Sequence, residues 1–152
     1  VWAADGTAVG GAFDAAAAVR LAAFSPDGAR LAVAYADRSV AVWDVAGGRR
    51  LGVPMAHSYT VQQLAWAPDG DTLVTLDGSQ TARFWDAGTG KQVGPAVPRG
   101  VSAVAVTADG RHLLTGDRGS PVRSWLVPRG LTAPAETVRA WSRVVVGLPP
   151  TP

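Results

Sequence analysis

Short runs of alternating apolar and polar residues, separated by tight-turn signals, fill most of the chain. In the clearest unit, VRLAAF (19–24) ends at the turn SPDG, ARLAVAYA (29–36) ends at DR, and SVAVWD (39–44) ends at VAGG. A fourth run, RRLGVPM (49–55), completes the unit. Period-two alternation with β-branched and aromatic residues indicates strands, and the Pro-Asp-Gly sequence favours a tight hairpin turn. The pattern predicts a meander of four short antiparallel strands.

The unit recurs along the chain with a period of about 40 residues. The tryptophan that ends each third strand recurs 41, 42 and 40 residues apart, at Trp2, Trp43, Trp85 and Trp125. The same register holds for the turn glycines Gly28, Gly70 and Gly110, and for a pair of glycines four residues apart, at 6–10, 48–52 and 90–94. A period of this length indicates stacked units that cannot bury their faces alone.

The turn and strand-end motifs carry a family resemblance. FSPDG (24–28), WAPDG (66–70) and TADG (107–110), with VWD (42–44) and FWD (84–86), resemble the WD40 repeats that form the four-stranded blades of β-propellers. The resemblance covers residues 1 to 126. It implies an all-β fold, a partial propeller of about three four-stranded antiparallel blades, followed by a C-terminal helix.

The repeat and the resemblance together divide the chain. Residues 1–14 are predicted to form the outer strand of a preceding blade, and blades are predicted at 15–55, 56–97 and 98–130, the last with an undefined outer strand. Because propellers close with four to eight blades, we expect the chain to need further blades from a longer chain or self-association. Residues 131–152 are predicted to form a helix over 133–146 and a proline-rich tail; the helix either covers the last blade or docks a neighbouring domain.

The family pattern also assigns structural positions. His57 occupies the position of the family's buried histidine, and Asp37 that of its turn aspartate, which is replaced by Ser79 and Gly119 in the other two blades. No blade keeps both groups, so the resemblance implies that the family's His–Asp–Trp hydrogen-bond network is incomplete everywhere. We therefore expect these blades to depend more on apolar packing.

One rim of the predicted propeller carries the candidate binding residues. In the family, the loops before each first strand and between the second and third strands form the commoner binding surface, and the Pro-Asp-Gly turns lie on the opposite rim. Arg and Tyr are enriched in interface hot spots, although any single one is more often an ordinary solvated residue. The candidate residues are Arg20, Tyr35, Arg38, Tyr59, Gln62, Arg99 and Arg118.

Composition excludes several functional classes. The net charge is only +2 and no cationic run exceeds Arg49-Arg50, so no nucleic-acid footprint is predicted, and no apolar stretch reaches membrane-spanning length. The absence of cysteine excludes disulfides, thiolate catalysis and Cys-based zinc sites, and it favours a reducing, cytoplasmic location.

Catalytic and ligand motifs are also missing. With only His57 and His112, no His-Asp-Ser constellation or GxSxG elbow is present. PDGDTLVTLDG (68–78) lacks the ligand series of a calcium loop, and GTGKQVG (88–94) lacks phosphate-loop spacing. We predict that the chain is not an enzyme and has no cofactor or metal site.

Two functional hypotheses remain. The first is a non-catalytic scaffold that binds protein or peptide partners. The second is a regulatory or targeting portion of a larger multidomain enzyme, because bacterial arrays resembling this one are often attached to serine/threonine kinase domains. The Ala- and Arg-rich composition, with Lys91 the single lysine, is typical of high-GC bacteria.

Overall fold

The computed structural model describes residues 17–97, 100–117 and 119–128. Ten strands lie in this part of the chain, which contains no helix. The all-β prediction is confirmed. Trp2, Arg99, Arg118, the predicted strand within 1–14 and the predicted helix at 133–146 lie outside the described residues.

The strands form three antiparallel sheets that follow one another along the chain. The first sheet has the order β1-β2-β3-β4, and the other two have the orders β5-β6-β7 and β10-β9-β8. The bounds are β1 Val19–Phe24, β2 Arg30–Tyr35, β3 Ser39–Asp44, β4 Arg49–Ala56, β5 Val61–Trp66, β6 Thr72–Asp77, β7 Ala82–Asp86, β8 Ala103–Val106, β9 His112–Asp117 and β10 Ser120–Leu126.

The second sheet has an interrupted fourth strand. Backbone bonds join Val93 N–H to the Phe84 carbonyl (2.9 Å) and Val97 N–H to the Ala82 carbonyl (2.8 Å), so residues 91–97 follow the edge of β7. Gly94 has a positive φ of 70° and Pro95 has no N–H, and these two residues break the ladder. The predicted outer strand therefore exists as two separate pairings.

The two Pro-Asp-Gly turns and the equivalent Ala-Asp-Gly turn form as the sequence predicts. Gly28, Gly70 and Gly110 have φ angles of 71°, 71° and 67°, a region that glycine enters at no steric cost. In the first turn, the Asp27 carboxylate accepts the Ala29 N–H (3.0 Å) and the Ser25 hydroxyl (2.5 Å). The hydroxyl bond from Ser25 lowers the pKa of Asp27 below 3.8.

Apolar side chains fill two layers between the sheets. In the first layer the small residues Ala32 and Ala34 of β2 leave room for Leu73 and the indole of Trp85. The second layer lies between the other face of the second sheet and the third sheet, and it contains Val74, Leu76, Phe84, Val104 and Leu113. Because the two faces of β6 and β7 bury different layers, the second sheet is packed on both sides.

Polar contacts also join neighbouring sheets. The indole N–H of Trp66 in β5 donates to the Ala23 carbonyl of β1 (2.9 Å). On the other side of β5, the Gln63 carboxamide donates to the Val104 carbonyl (2.7 Å) and accepts the Val104 N–H (3.1 Å). A side chain of β5 thus satisfies backbone groups of β8 across the gap between two sheets.

The outer strand of the first sheet approaches the second sheet very closely. Val53 N–H donates to the Thr89 carbonyl (3.0 Å), and the glycines Gly52 and Gly90 flank this contact with φ angles of 59° and 73°. A Cβ atom on Gly90 would lie 1.9 Å from the Val53 carbonyl oxygen, and one on Gly52 would lie 2.3 Å from the Thr89 carbonyl carbon. Gly52 and Gly90, one from each of two successive glycine pairs, therefore let the two backbones approach closely.

Candidate functional site

A buried hydrogen-bond network fixes one rim of the second sheet. The Trp85 indole N–H donates to Thr75 Oγ1 (2.9 Å), and Thr75 Oγ1 lies 2.9 Å from His57 Nε2. His57 Nδ1 faces the Met55 carbonyl at 3.1 Å, so we assign the ring proton to Nδ1 and a Thr75 hydroxyl donor to Nε2. The network thus joins the side chains of Trp85, Thr75 and His57, and the Met55 backbone carbonyl accepts a hydrogen bond from the histidine ring.

Sequence reasoning missed Thr75, although a signal for it is present. Threonines at 75 and 115 each precede a repeat tryptophan by ten residues, and Trp125 donates to Thr115 Oγ1 at 2.8 Å. These bonds add a polar contribution that the expectation of mainly apolar packing did not include.

Tyr35 takes this acceptor role in the first sheet. Val33 occupies in the first sheet the position that Thr75 occupies in the second, because each lies two residues after the residue that pairs with the repeat tryptophan. Valine has no hydroxyl to offer that tryptophan. The Trp43 indole N–H donates instead to the Tyr35 hydroxyl (2.9 Å), and the Tyr35 side chain is only 6% exposed. Its burial raises its pKa above 10.0. Tyr35, predicted for the binding rim, therefore lies in the core.

A buried ion pair lies beside the histidine. The Asp77 carboxylate, fully buried, accepts the Ser79 N–H (2.9 Å), the Ser79 hydroxyl and a guanidinium N–H of Arg83. Burial acts to raise the pKa of Asp77, but the hydrogen bonds from Ser79 and Arg83 outweigh it and hold the pKa below 3.8.

Acid should destabilise the fold through His57. Burial, with the nearby Arg83 charge, lowers the pKa of His57 below 6.5, while the Met55 carbonyl and Asp77 act in the opposite direction. The unfolded chain then binds more protons, so stability is fully present above pH 6.5 and falls as the pH drops toward the folded pKa. We expect urea midpoints at pH 7.5, 6.5 and 5.5 to decline in that order.

The control for this prediction compares the two histidines. His57→Gln should remove most of the decline, whereas His112→Gln should keep it. A decline that is unchanged in His57→Gln would show that another group is responsible.

Three of the predicted rim residues lie around the place where the first and second sheets adjoin. Arg38 Nη1 donates to the Ser58 carbonyl (3.1 Å), and the Arg38 carbonyl accepts the His57 N–H (3.1 Å). Tyr59 is 54% exposed. A Cβ atom added to Gly78 would lie 3.5 Å from Tyr59 Cβ and 3.7 Å from Gln62 Nε2, so both side chains border this glycine. We call Arg38, Tyr59 and Gln62 the junction patch.

Some polar groups of the opposite rim bond within the fold. Arg30 Nη1 donates to the Gly70 carbonyl and to the Asp71 carboxylate, both at 2.9 Å, and so joins the first two sheets. Asp69 accepts the backbone N–H groups of Asp71 and Thr72 (2.9 and 3.1 Å). Arg30 and Asp69 therefore help to hold this rim together.

Neither a metal-binding cluster nor a membrane-spanning helix lies in the described residues. Within 17–97, 100–117 and 119–128, no group of three or more His, Cys, Asp or Glu side chains could hold a metal ion. The same part of the chain contains no helix long and apolar enough to cross a membrane.

Comparison with known proteins identifies the fold. The family model "WD domain, G-beta repeat" matches residues 12–44 and 48–86, just under half of the chain. The structures described as "Crystal structure of RRP9 WD40 repeats" and "Structure of U3-55K" are similar, each with a TM-score of 0.63 over 74% of this chain, at 24% and 23% identity. The chain spans only 36% and 37% of their lengths. No curated protein matches it. The fold is that of a partial WD40-type β-propeller.

Proposed function

We propose that this chain is a non-catalytic scaffold, one sector of a longer WD40 β-propeller, and that it binds a protein partner through the junction patch. The observation that carries the proposal is the grouping of an arginine, a half-exposed tyrosine and a glutamine at the end of one inter-sheet gap. Tyr and Arg supply much of the binding energy at protein interfaces because they combine contact area with hydrogen-bonding groups.

The local structure supports a preorganised surface. The loop at 57–60, which carries Tyr59, is attached to the core through His57 and to the first sheet through the Arg38–Ser58 bond. A loop that is already ordered loses less conformational entropy when a partner binds. The patch therefore offers exposed side chains on a fixed backbone.

The same proposal includes further blades, a cellular location and a role within a larger protein. The three sheets of the described residues cannot close a ring, and the similar solved structures are more than twice as long as the matched region, which supports further blades in a longer chain. The proposed location is the cytoplasm, with cysteine absent from the sequence. A targeting role within a larger enzyme, such as a bacterial serine/threonine kinase, would use the same patch.

The test is a triple variant, Arg38→Ala with Tyr59→Ala and Gln62→Ala. Affinity purification with this variant should recover at least about tenfold less of the partners held by the parent chain, since hot-spot truncations cost about 1–2 kcal/mol or more. Circular dichroism and the unfolding midpoint should show that the fold is kept.

A matched control removes exposed side chains from the opposite rim. The variant Lys91→Ala, Gln92→Ala and Arg111→Ala should keep the partners, because all three side chains lie at the turn end of the sheets. Equal loss from both variants, or full recovery with the junction-patch variant, would refute the proposal.

A further inference from the structure

Two long polar side chains occupy β-bulges in the first strands of neighbouring sheets. In β1, Val19 pairs with Tyr35 and Leu21 with Ala34, so Arg20 is the extra residue between them. In β5, the same shift occurs between Val61 and Gln63, and Gln62 is the extra residue. Bulges commonly re-aim a side chain beside a functional site. Both Arg20 and Gln62 are exposed.

Two more long polar side chains occupy a costly turn conformation. Among the described residues, Arg38 (φ 72°) and Gln80 (φ 61°) are the two non-glycine residues with positive φ, and both follow the second strand of their sheet. The corresponding turn of the third sheet has Gly119 (φ 86°), which avoids the cost of about 1–2 kcal/mol. Arg and Gln at positions where glycine would avoid this cost favour a role for their side chains.

The chemistry of these four positions changes from one sheet to the next. The first sheet has arginine at its bulge and at its turn, Arg20 and Arg38. The second sheet has glutamine at the same two places, Gln62 and Gln80. The one carboxylate next to Arg38 in the sequence, Asp37, already accepts the Ser39 N–H (3.0 Å) and the Ser39 hydroxyl (2.7 Å). Asp37 stays ionised beside Arg38, so the two arginines of the first sheet, less this one carboxylate, leave a net positive charge there, whereas the two glutamines of the second sheet carry none.

We infer that the partner segment is an extended acidic peptide that crosses this junction, with its carboxylates on the first sheet and its backbone amides over the second. Arginine forks match carboxylate geometry, and a glutamine amide both donates to and accepts from a peptide group. Tyr59, between the two pairs, contacts the peptide side chain that lies over the junction. This inference rests on the proposed function and specifies the ligand of the same patch.

The test exchanges the chemistry of the two sheets in the 152-residue chain. Each new residue already occupies the equivalent position of the neighbouring sheet, so the backbone is known to accept it. The probes are two fluorescein-labelled octapeptides, one of alternating Glu and Ala and one of alternating Gln and Ala, titrated by fluorescence anisotropy. The parent chain should bind the Glu peptide more tightly, and added salt should reduce the difference.

Two double variants and one control decide the outcome. Arg20→Gln with Arg38→Gln should lower affinity for the Glu peptide by about tenfold and leave the Gln peptide unaffected, whereas Gln62→Arg with Gln80→Arg should raise affinity for the Glu peptide. Arg49→Gln with Arg50→Gln, on the opposite rim, removes the same charge and should have no effect.

Failure here can be separated from failure of the proposed function. Equal loss from the two Arg→Gln variants, or no preference of the parent chain for the Glu peptide, would overturn the acidic-peptide inference. The proposed function would still stand if the alanine variant of the junction patch lost its protein partners. If that variant kept its partners, the proposed function would fail as well.

Discussion

Replacing Gly90 with alanine will destabilise the fold far more than the same change at Gly28. Both glycines have nearly the same φ, 73° and 71°, so each replacement incurs the cost of about 1–2 kcal/mol for an L residue in that region. Only at Gly90 does the new Cβ meet backbone, 1.9 Å from the Val53 oxygen, whereas nothing lies within 4 Å at Gly28. The clash must separate the backbones at 53 and 89–90.

The expected loss in free energy of unfolding is about 2–5 kcal/mol for Gly90→Ala, the sum of the φ cost and an overpacking cost of about 1–3 kcal/mol. Gly28→Ala should lose only the first part. Urea unfolding of both variants measures the difference. Similar losses would mean that the close approach of the first and second sheets contributes nothing to stability.

Trp85→Ala should lower the free energy of unfolding by about 3–5 kcal/mol, as for other large buried aromatic side chains. Trp85 is 6% exposed, packs between the first two sheets and donates to Thr75. Trp85→Phe should cost less than Trp85→Ala, because the phenyl ring keeps part of the apolar contact and leaves a smaller cavity; it also removes the indole donor, a loss of about 1–2 kcal/mol.

Trp125 provides the comparison, because it also donates to a threonine but is only partly buried, at the edge of the second apolar layer. Trp125→Ala should therefore cost less than Trp85→Ala. An unfolding midpoint unchanged by Trp85→Ala would contradict the packing of the first two sheets described above.

The sequence predicts the strands well because alternation and turn chemistry are local. The run 19–24 became β1 without change, and the fourth run, 49–55, became Arg49–Ala56. The outer strand of the second sheet was harder, because Gly94 and Pro95 interrupt it and leave only isolated pairings at Gln92 and Val97. Local propensity does not indicate how a broken strand pairs.

The candidate site was predictable only in part. Loop position in the repeat indicates which rim Arg38 and Tyr59 occupy, and the structure brings them together. Loop position alone could not indicate that Tyr35 points into the core, because the Tyr35 hydroxyl accepts the Trp43 indole N–H in a sheet where Val33 offers no hydroxyl. The glycines at 52 and 90 were visible as a periodic pattern, but the need for glycine there comes from a contact between segments nearly forty residues apart.

The Gln63 carboxamide gives the junction of the second and third sheets its own spectroscopic signature. The Val104 amide proton is held by a side chain from another sheet, 3.1 Å away, while β8 pairs with β9 through its other edge. If the two sheets part briefly, this proton exchanges with solvent even though the third sheet stays folded. Its exchange rate therefore reports how often neighbouring blades separate, a motion distinct from unfolding of either one.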